Sequence, residues 1–482
     1  MGDKMRQVGL VTFGAIAGVM LSLNFSAVAN KEPQGVMHPL PVEELRAFTE
    51  VFGRIKNDYV EPVEDKKLIT EAINGMLTGL DPHSAYLDTD AFKELQIGTQ
   101  GEFGGLGIEV SMEDGFVKVI SPIEDTPAFR AGIKPGDLII KLDDTAVKGL
   151  SLTDAIKRMR GKPNTPITIT VMRKGELKPL VFPLVRAVIK IQSVKSKLIE
   201  PGYGYIRITQ FQEQTGENLT KAIEKLFKES AVPMKGLVLD LRNDPGGLLN
   251  GAVAVSAAFL PADSLVVYTD GRTDDAKMKL KASPEFYLRD TKNDYLKRLP
   301  PAIKTVPMVT LVNGGSASAS EIVAGALQDH KRSVVMGTQT FGKGSVQTIL
   351  PLGNNTAIKL TTARYYTPHG QSIQAKGITP DIVDESAKDE TERLREADLQ
   401  RHLSNGKPEE AKSETEAKAD PKPAAKATKP ENEEDKNKKR EPPAEFGSSG
   451  DILLTQAINY FKEGPTKKAS AKVEKASAKV EN

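Results

Sequence analysis

The spacing of hydrophobic residues changes along the chain, and each change predicts a different kind of element. Apolar residues recur at three- and four-residue steps over 41–59 and again over 68–80, which predicts two amphipathic helices. An Asp-Pro-His-Ser turn at 81–84 ends the second helix. Short apolar runs then predict a small β-rich unit of roughly 90 residues. Its predicted strands are 108–111, 116–120, 138–142, 167–172 and 180–184, with helical stretches at 127–131 and 152–159.

After Arg186 the predicted strands lengthen and alternate with helices. This order predicts an α/β core whose sheet is partly parallel. The predicted strands are 203–208, 236–241, 264–268, 308–312, 333–336 and 357–363, and the predicted helices are 218–229, 251–259 and 318–328.

The composition changes at about Asp384. Residues 386–447 are rich in Lys, Glu, Ala and Pro, with almost no aliphatic residues after Leu403, so they cannot bury enough apolar surface to fold alone. One last apolar helix face follows, and we expect it to dock on the protein's own core or on a partner. Its apolar residues are Ile452, Leu453, Leu454, Ala457, Ile458 and Phe461.

These patterns predict an α/β (α+β) multidomain protein. A mixed-sheet core carries an inserted β-rich domain, and helical regions lie toward both ends. The predicted boundaries are 1–29 for a signal peptide, 30–100 for an N-terminal helical region, 101–187 for the β-rich domain, 188–385 for the α/β core, 386–447 for a charged linker, 448–464 for a C-terminal helix and 465–482 for a disordered tail.

Charge and cysteine content narrow the chemistry. Lys and Arg total 66 against 64 Asp and Glu, and the net charge of +2 gives no field able to gather nucleic acid or to hold a membrane surface. The chain has no cysteine, which excludes a thiol nucleophile, thiolate metal sites and disulfides. We therefore expect no nucleic-acid partner and no thiol chemistry.

The N-terminus is typical of a secretory signal. Lys4 and Arg6 precede a mostly apolar run over 8–25, and Ala-Val-Ala at 27–29 is a pattern that signal peptidases accept, which predicts cleavage before Asn30. An uncleaved anchor is the alternative, since the run is just long enough to span a bilayer. In both cases the remainder lies outside the cytosol, in the periplasm or anchored to the outer face of the inner membrane.

A serine-rich segment, Val-Asn-Gly-Gly-Ser-Ala-Ser-Ala-Ser-Glu-Ile at 312–322, joins a predicted strand to a predicted helix. A hydroxyl at this helix start is exposed beside free backbone N–H groups, which suits a nucleophile whose product is an oxyanion. A helix N-cap is the alternative, because Ser318 and Glu321 have the spacing of a capping box. The pattern alone does not separate Ser316 from Ser318 as the nucleophile.

A lysine between glycines lies in a second segment, Phe-Gly-Lys-Gly-Ser-Val-Gln at 341–347. For Lys343 to accept a proton from a serine, its amine must be neutral at about pH 7, which requires an apolar or like-charged pocket. We expect Phe341 and Val346 to supply that pocket. Gln347 is near enough in sequence to hydrogen-bond the amine and fix its direction.

Three other chemistries lack their signatures. None of the five histidines lies in a catalytic motif, and the chain has neither a Gly-x-Ser-x-Gly elbow nor a His-Glu-x-x-His pair. Residues 337–343 match the Gly-x-x-x-x-Gly-Lys loop of nucleotide-binding proteins, but Gly344 stands where a magnesium-binding Ser or Thr is needed. We therefore expect no Ser–His–Asp triad, no zinc site and no ATP site.

The segments at 312–322 and 341–347, with Asp-Leu-Arg-Asn-Asp-Pro-Gly-Gly at 240–247, closely resemble the carboxyl-terminal processing proteases, the tail-specific Ser–Lys peptidases of family S41. The resemblance covers residues 41–385, and the order and spacing of the motifs match. It implies a serine endopeptidase without metal or cofactor that acts on protein or peptide substrates with exposed C-termini. It further implies Ser318 as nucleophile, Lys343 as general base, Gln347 as the residue orienting that lysine, and an oxyanion hole made by N–H groups of Ala319 and of Gly246 or Gly247.

The β-rich unit resembles a PDZ domain inserted in the protease. Residues 104–108 resemble the loop and strand that capture a peptide C-terminus, and 127–138 is the other recognisable PDZ stretch. The resemblance implies that this domain recognises substrate tails and gates the active site. The peptide contacts that it implies are Gly105, Leu106, Gly107 and Ile108.

The resemblance also bears on partners. It implies a homo-oligomer to which the first and last helical regions contribute, and it leaves a protein adaptor and peripheral membrane association open. A non-catalytic PDZ adaptor with a degenerate protease core is a second hypothesis. The intact residues Ser318, Lys343 and Gln347 argue against it, and incubation with an unfolded protein would decide between the two.

Overall fold

The computed structural model describes residues 40–123, 125–384, 394–406, 448 and 450–463. The predicted signal peptide 1–29, the predicted tail 465–482 and most of the predicted linker lie outside these residues. Within the described ranges, no helix has both the length and the apolar character that crossing a bilayer requires.

Two helices begin the described chain, where the three- and four-residue spacing predicts them. They are α1 (Val42–Asp58) and α2 (Asp65–Thr78). The apolar residues Leu45, Phe48 and Val51 of α1 are each about half exposed. A short strand and a third helix follow, β1 (Ala85–Leu87) and α3 (Thr89–Gln100). The Asp88 side chain caps α3 by accepting a hydrogen bond from the Ala91 N–H at 2.8 Å.

The β-rich unit is an antiparallel sheet with two short helices. Its elements, in chain order, are β2 (Glu102–Gly105), β3 (Ile108–Glu113), β4 (Phe116–Pro122), α4 (Pro127–Arg130), β5 (Leu138–Leu142), β6 (Thr145–Ala146), α5 (Leu152–Met159), β7 (Pro166–Met172), β8 (Leu180–Val185) and β9 (Ala187–Lys190). The strand order is β3-β4-β5-β7-β8, and β6 pairs with β5. Its core forms because alternate residues such as Val117, Val119 and Ile169 point inward and are fully buried. Because β3 is the first strand in this order, it lies at an edge of the sheet.

The α/β core follows the predicted alternation. Its elements are β10 (Val194–Glu200), β11 (Tyr203–Ile208), α6 (Thr215–Glu229), β12 (Gly236–Asp240), α7 (Leu249–Phe259), β13 (Leu265–Gly271), β14 (Lys279–Lys281), α8 (Pro284–Tyr287), β15 (Met308–Val312), α9 (Ala319–Asp329), β16 (Val334–Gly337), β17 (Ser345–Pro351), β18 (Ala357–Tyr366), β19 (Ile382–Val383) and, late in the chain, α10 (Ile452–Glu463). The main sheet has the order β10-β11-β12-β15-β16-β19, and only the β10–β11 pairing in it is antiparallel.

The central strands of this sheet are buried on both faces. In β12, Leu237 and Leu239 contact the core that includes α6, α7 and α9, whereas Val238 points to the opposite face. Such continuous apolar strands are typical of parallel sheets covered on both sides. A second sheet of order β1-β18-β13-β14, with β17 paired to β18, completes the core.

The last helix, α10, covers the second face of the main sheet. It docks on the protein's own core, which is one of the two outcomes that its apolar face predicted. The Asp451 carboxylate forms an ion pair with Arg242 at 2.6 Å, and the Phe461 ring stacks on Tyr203. Each fully buried aliphatic side chain contributes about 1.5–3 kcal/mol. The buried residues of α10 are Leu453, Leu454, Ala457 and Ile458.

The predicted fold class is confirmed: the protein is an α/β multidomain chain with a mixed-sheet core, an inserted β-rich unit and helical ends. Several elements were not predicted, among them the helix α3 and the strands β10 and β17. The linker prediction also differs from the structure, because residues 394–406 pack on the core and Glu396 is fully buried there. Polar contacts rather than aliphatic residues hold this segment on the core. Its low content of aliphatic residues therefore predicted a linker.

Candidate active site

Three loops meet at one edge of the main sheet. They follow the carboxyl ends of β12, β15 and β16, which are adjacent parallel strands. Parallel neighbours end at the same edge, and clefts at this edge are where α/β sheets bind their ligands. The three loops contain, in chain order, the sequence-predicted residues Gly246 and Gly247, then Ser318 and Ala319, then Lys343.

Ser318 occupies the N-cap position of α9 with a strained backbone. Its φ of 55° and ψ of −114° lie outside the regions that non-glycine residues usually adopt. Strain of this kind persists only where the surroundings enforce it, and it concentrates at functional sites. The capping box that the sequence spacing predicts is also formed, because the Glu321 carboxylate accepts the Ser318 N–H at 2.8 Å.

The structure distinguishes the three serines of this loop. Ser316 is fully buried and donates its hydroxyl proton to the Leu241 carbonyl at 2.8 Å. Ser320 is fully buried and donates to the Asp244 carbonyl at 2.9 Å. Ser318 is partly exposed. Its hydroxyl is therefore the one of the three that a substrate can reach.

A buried carboxylate joins the serine loop to the lysine loop. Glu321 is fully buried, and its Oε2 accepts the N–H groups of both Ser318 and Lys343, the latter at 3.0 Å. Its Oε1 accepts the Gly342 N–H at 2.7 Å and the Thr340 hydroxyl at 2.6 Å. Burial raises the pKa of Glu321 to about 7 against the lowering effect of these four bonds. Glu321 thus fixes the spacing of the two loops.

Lys343 lies partly buried after β16. Burial lowers the pKa of its amine below the ordinary value of 10.5, and the charge of Lys359 adds to this effect. The carboxylates of Glu396, Glu321 and Asp81 oppose it. Among the described residues the amine forms neither a hydrogen bond nor an ion pair. The site therefore favours the neutral amine that proton transfer requires.

Gln347 and Tyr365 lie on the paired strands β17 and β18. The Gln347 side-chain nitrogen donates to the Ser345 hydroxyl at 3.0 Å and lies 3.4 Å from the Thr361 hydroxyl. Tyr365 is buried, and its hydroxyl donates to the Lys343 carbonyl while contacting the Ser318 side chain. Sequence reasoning did not single out Tyr365, because nothing in its neighbourhood along the chain marks this contact.

The first of the two glycines after β12 is close to the serine. Gly246 has a φ of +93°, and a Cβ atom there would lie 2.8 Å from both the Ser318 Cβ and the Ala319 nitrogen. Only glycine therefore fits at this approach. The Gly246 N–H donates to Asp244 Oδ1 at 2.8 Å. Gly247, with a φ of +147°, follows it.

The lysine loop is also supported from its other side. The Gly344 N–H donates to the side-chain oxygen of Gln374 at 3.0 Å, and the Gln374 side-chain nitrogen donates to Glu396 at 2.9 Å. Glu396 Oε2 lies 2.8 Å from His83 Nε2. Burial raises the pKa of Glu396, but its bonds to His83 and Gln374 outweigh that effect and lower it. The His83 ring is therefore paired with the carboxylate of Glu396 and not with a serine nucleophile.

The β-rich unit holds a separate groove of about 170 Å³. It runs between the start of the edge strand β3 and the helix α5. The carbonyls of Leu106 and Gly107 accept hydrogen bonds from Ala128 and Ile123, but in the described chain their N–H groups have no partner. Its lining residues are Phe103, Gly105, Leu106, Gly107, Ile108, Val110, Ile156, Met159 and Arg160.

Comparison with known proteins agrees with this division of the chain. Residues 202–384 match peptidase family S41, residues 104–182 match the PDZ domain, and residues 20–91 match the activating protease CtpB N-terminal domain. The carboxy-terminal-processing protease of Bartonella bacilliformis is 46% identical over 410 residues, which cover 82% of this chain and 88% of that protein. The carboxy-terminal processing protease CtpB of Bacillus subtilis is 34% identical over 384 residues, covering 78% and 76%. A solved structure, the photosystem II D1 C-terminal processing protease, is 31% identical with a TM-score of 0.40, covering 70% of this chain and 86% of that one.

Proposed function

Because the chain belongs to the carboxy-terminal processing proteases of peptidase family S41 and is therefore a serine-type peptidase, we propose that Ser318 and Lys343 carry out its peptide-bond hydrolysis. The observation that carries the proposal is the shared carboxylate of Glu321, which binds the main-chain N–H of both residues. This arrangement supports a nucleophile and a base held at a fixed spacing. The lowered pKa of Lys343 supports its role as the base.

The proposed mechanism is acyl transfer. The neutral Lys343 amine takes the Ser318 hydroxyl proton while the serine oxygen bonds to the scissile carbonyl carbon, and the resulting ammonium then protonates the leaving amine as the C–N bond breaks. Water hydrolyses the acyl-enzyme in a second cycle of the same steps. The Lys343 amine does not bond to Gln347 in this structure, and we assign the side-chain oxygen of Gln347 to orienting the amine in the reacting conformation, because the side-chain nitrogen already bonds to Ser345 and Thr361.

The oxyanion is proposed to bind backbone N–H groups. Ala319 opens α9, where N–H groups are unpaired and the helix dipole favours negative charge. Gly246 or Gly247 supplies the second donor, and the close approach of Gly246 to Ala319 supports this pairing. In many hydrolytic sites, N–H groups that already point at the oxyanion make the largest single contribution to the stability of the transition state.

Covalent labelling tests the nucleophile. The full-length enzyme treated with a small fluorophosphonate, digested and analysed by mass spectrometry is expected to carry one adduct, on Ser318. Ser318→Ala is the control, and it should take up no label under the same conditions. An adduct on Ser316, Ser320 or any other serine of the native enzyme would reject the assignment.

The groove beside β3 is proposed to bind substrate tails. Unpaired N–H groups of Leu106 and Gly107 support capture of a terminal carboxylate, and the free edge of β3 supports pairing with the peptide as an added strand. The apolar groove residues, such as Ile156, support a preference for apolar tails. The protease is thereby proposed to act on proteins and peptides with exposed C-termini.

Peptide binding tests the groove. A fluorescent peptide with an apolar C-terminus is expected to lose roughly 10- to 100-fold in affinity when its carboxylate is amidated, because charged hydrogen bonds are lost. Ile156→Glu, which places a negative charge in the groove, should weaken binding of the free-acid peptide to a similar extent. Val181→Glu, at a residue 60% exposed on β8 of the same unit, is the matched control and should bind normally. Equal binding of the acid and amide peptides would contradict the proposal.

We also propose a location outside the cytosol and a homo-oligomeric assembly. The N-terminal signal pattern supports a protease that works outside the cytosol, in the periplasm or anchored to the outer face of the inner membrane. The half-exposed apolar residues of α1 support its contribution to a homo-oligomer. Docking of α10 on its own sheet supports a role for that helix in the stability of the core.

A further inference from the structure

The carboxyl of Asp244 is buried beside the candidate oxyanion site with one oxygen unpartnered. Asp244 is 0% exposed, and its Oδ1 accepts the Gly246 N–H at 2.8 Å. Its Oδ2 is buried and, in the described part of the chain, forms no hydrogen bond. The adjacent Ser320 hydroxyl donates to the Asp244 main-chain carbonyl at 2.9 Å and also lies near enough to the carboxyl to favour its charged form. An ionised carboxylate is costly in such surroundings, whereas a protonated one is tolerated.

Asp244 is also tied to the nucleophile loop. Its main-chain carbonyl accepts the Ala317 N–H at 3.0 Å. The glycine that its side chain holds, Gly246, approaches Ser318 and Ala319 so closely that a Cβ atom would not fit. A change of charge on Asp244 therefore acts directly on the backbone that faces the reacting carbonyl.

We propose that Asp244 is a positioning residue whose protonation controls the oxyanion site. When neutral, its carboxyl holds the Gly246 N–H weakly, so that this donor is available to the oxyanion. When ionised, it retains the N–H through a stronger, charge-assisted bond and repels the developing negative charge. The proposal rests on the proposed function, since it takes Ser318 as the nucleophile.

The charged groups that face Asp244 set the pH at which this occurs. Burial raises the pKa of Asp244 to about 7, and the carboxylate of Asp240 at the end of β12 adds to this. The Gly246 N–H bond, the Ser320 hydroxyl and the positive charge of Arg207 on β11 oppose the rise of this pKa. Because a raised pKa means that the proton leaves only as the pH passes 7, the activating neutral form is lost on the alkaline side of neutrality.

The variant Asp244→Asn tests the proposal, because asparagine has the same shape and still accepts the Gly246 N–H but carries no charge. Lys343 titrates in both enzymes, so the ratio of variant kcat to native kcat isolates the contribution of Asp244. This ratio is expected to rise roughly 10- to 30-fold between pH 6.5 and pH 8.5, because the native enzyme loses one required proton over this range. Asp275→Asn, at an exposed aspartate, is the matched control, and its ratio should stay flat.

A ratio for Asp244→Asn that does not rise with pH would overturn the proposal. So would a folded but inactive variant at every pH, because the neutral side chain is the competent one. If the variant does not fold, the native enzyme supplies the test: its rate of fluorophosphonate labelling should rise as Lys343 loses its proton, pass through a maximum and decline at higher pH as Asp244 ionises. A label that appears on a serine other than Ser318 rejects the proposed function, whereas a label on Ser318 with no alkaline decline rejects the role of Asp244 alone.

Discussion

Replacement of Lys343 by arginine is expected to lower kcat roughly 10⁴- to 10⁶-fold, the loss seen when a hydrolase loses its nucleophile or base. A guanidinium keeps the charge and much of the length of lysine, but it cannot be deprotonated and so cannot accept the Ser318 proton. Burial already lowers the pKa of the Lys343 amine, which shows that the pocket disfavours a cation. Turnover of a peptide substrate, measured at saturating concentration, gives the result directly.

The control for this prediction is Lys331→Arg, at an exposed lysine after α9, which should retain native kcat. Thermal unfolding of both variants checks that the fold is intact. Activity of the Lys343→Arg enzyme within tenfold of native would contradict the assignment of Lys343 as the base.

Replacement of Arg242 by methionine is expected to lower the free energy of unfolding by about 3–5 kcal/mol, the cost of removing one partner from a buried ion pair. The Arg242 guanidinium lies between Asp240 and Asp451, at 2.6 Å from a carboxylate oxygen of each. Asp240 is fully buried, so the variant leaves its charge with fewer partners in a poorly solvated place. Urea denaturation at pH 7 measures the change.

The matched control is Arg289→Met. Arg289 pairs with Glu213 at 2.7 Å, but its side chain is 88% exposed, and exposed pairs contribute about 0–1 kcal/mol. Equal destabilisation by the two substitutions would contradict the buried-network interpretation.

The contribution of Arg242 also depends on pH. Burial raises the pKa of Asp451, but the bonds to Arg242 outweigh it and hold the value below the ordinary 3.8. A carboxyl with a lowered pKa stabilises the fold fully above its unfolded value and loses that effect as the pH falls through the folded value. The difference between native and Arg242→Met proteins should therefore shrink below about pH 4.

The positions of the candidate residues Ser318 and Lys343 could be predicted from the sequence because their loops are local features. A predicted strand that runs through glycines into a predicted helix locates Ser318, and the glycines that flank Lys343 after the next predicted strand locate the second segment. Both loops meet because their strands are parallel neighbours. The strand β12 could likewise be predicted from the sequence, because burial on both faces leaves an uninterrupted apolar run.

The supporting contacts could not be read in the same way, because they join residues far apart in the chain. Glu321 was predicted only as a capping partner of Ser318, and its bonds to the loop of Lys343 depend on the folded sheet. The pairing of His83 with Glu396 links segments more than 300 residues apart. The contact of Tyr365 with the Lys343 carbonyl depends on the register of β18, which the local pattern does not set.

The origin of the site in three separate loops has a consequence for biosynthesis. Asp244, Ser318 and Lys343 come from stretches separated by whole strand–helix units, and the helix that anchors Arg242 is the last one described in the chain. Long-range pairings of parallel strands form late during folding, since the intervening chain must first be closed into a loop. A nascent chain therefore brings Asp244, Ser318 and Lys343 together only after β16 and the loop that follows it have been made.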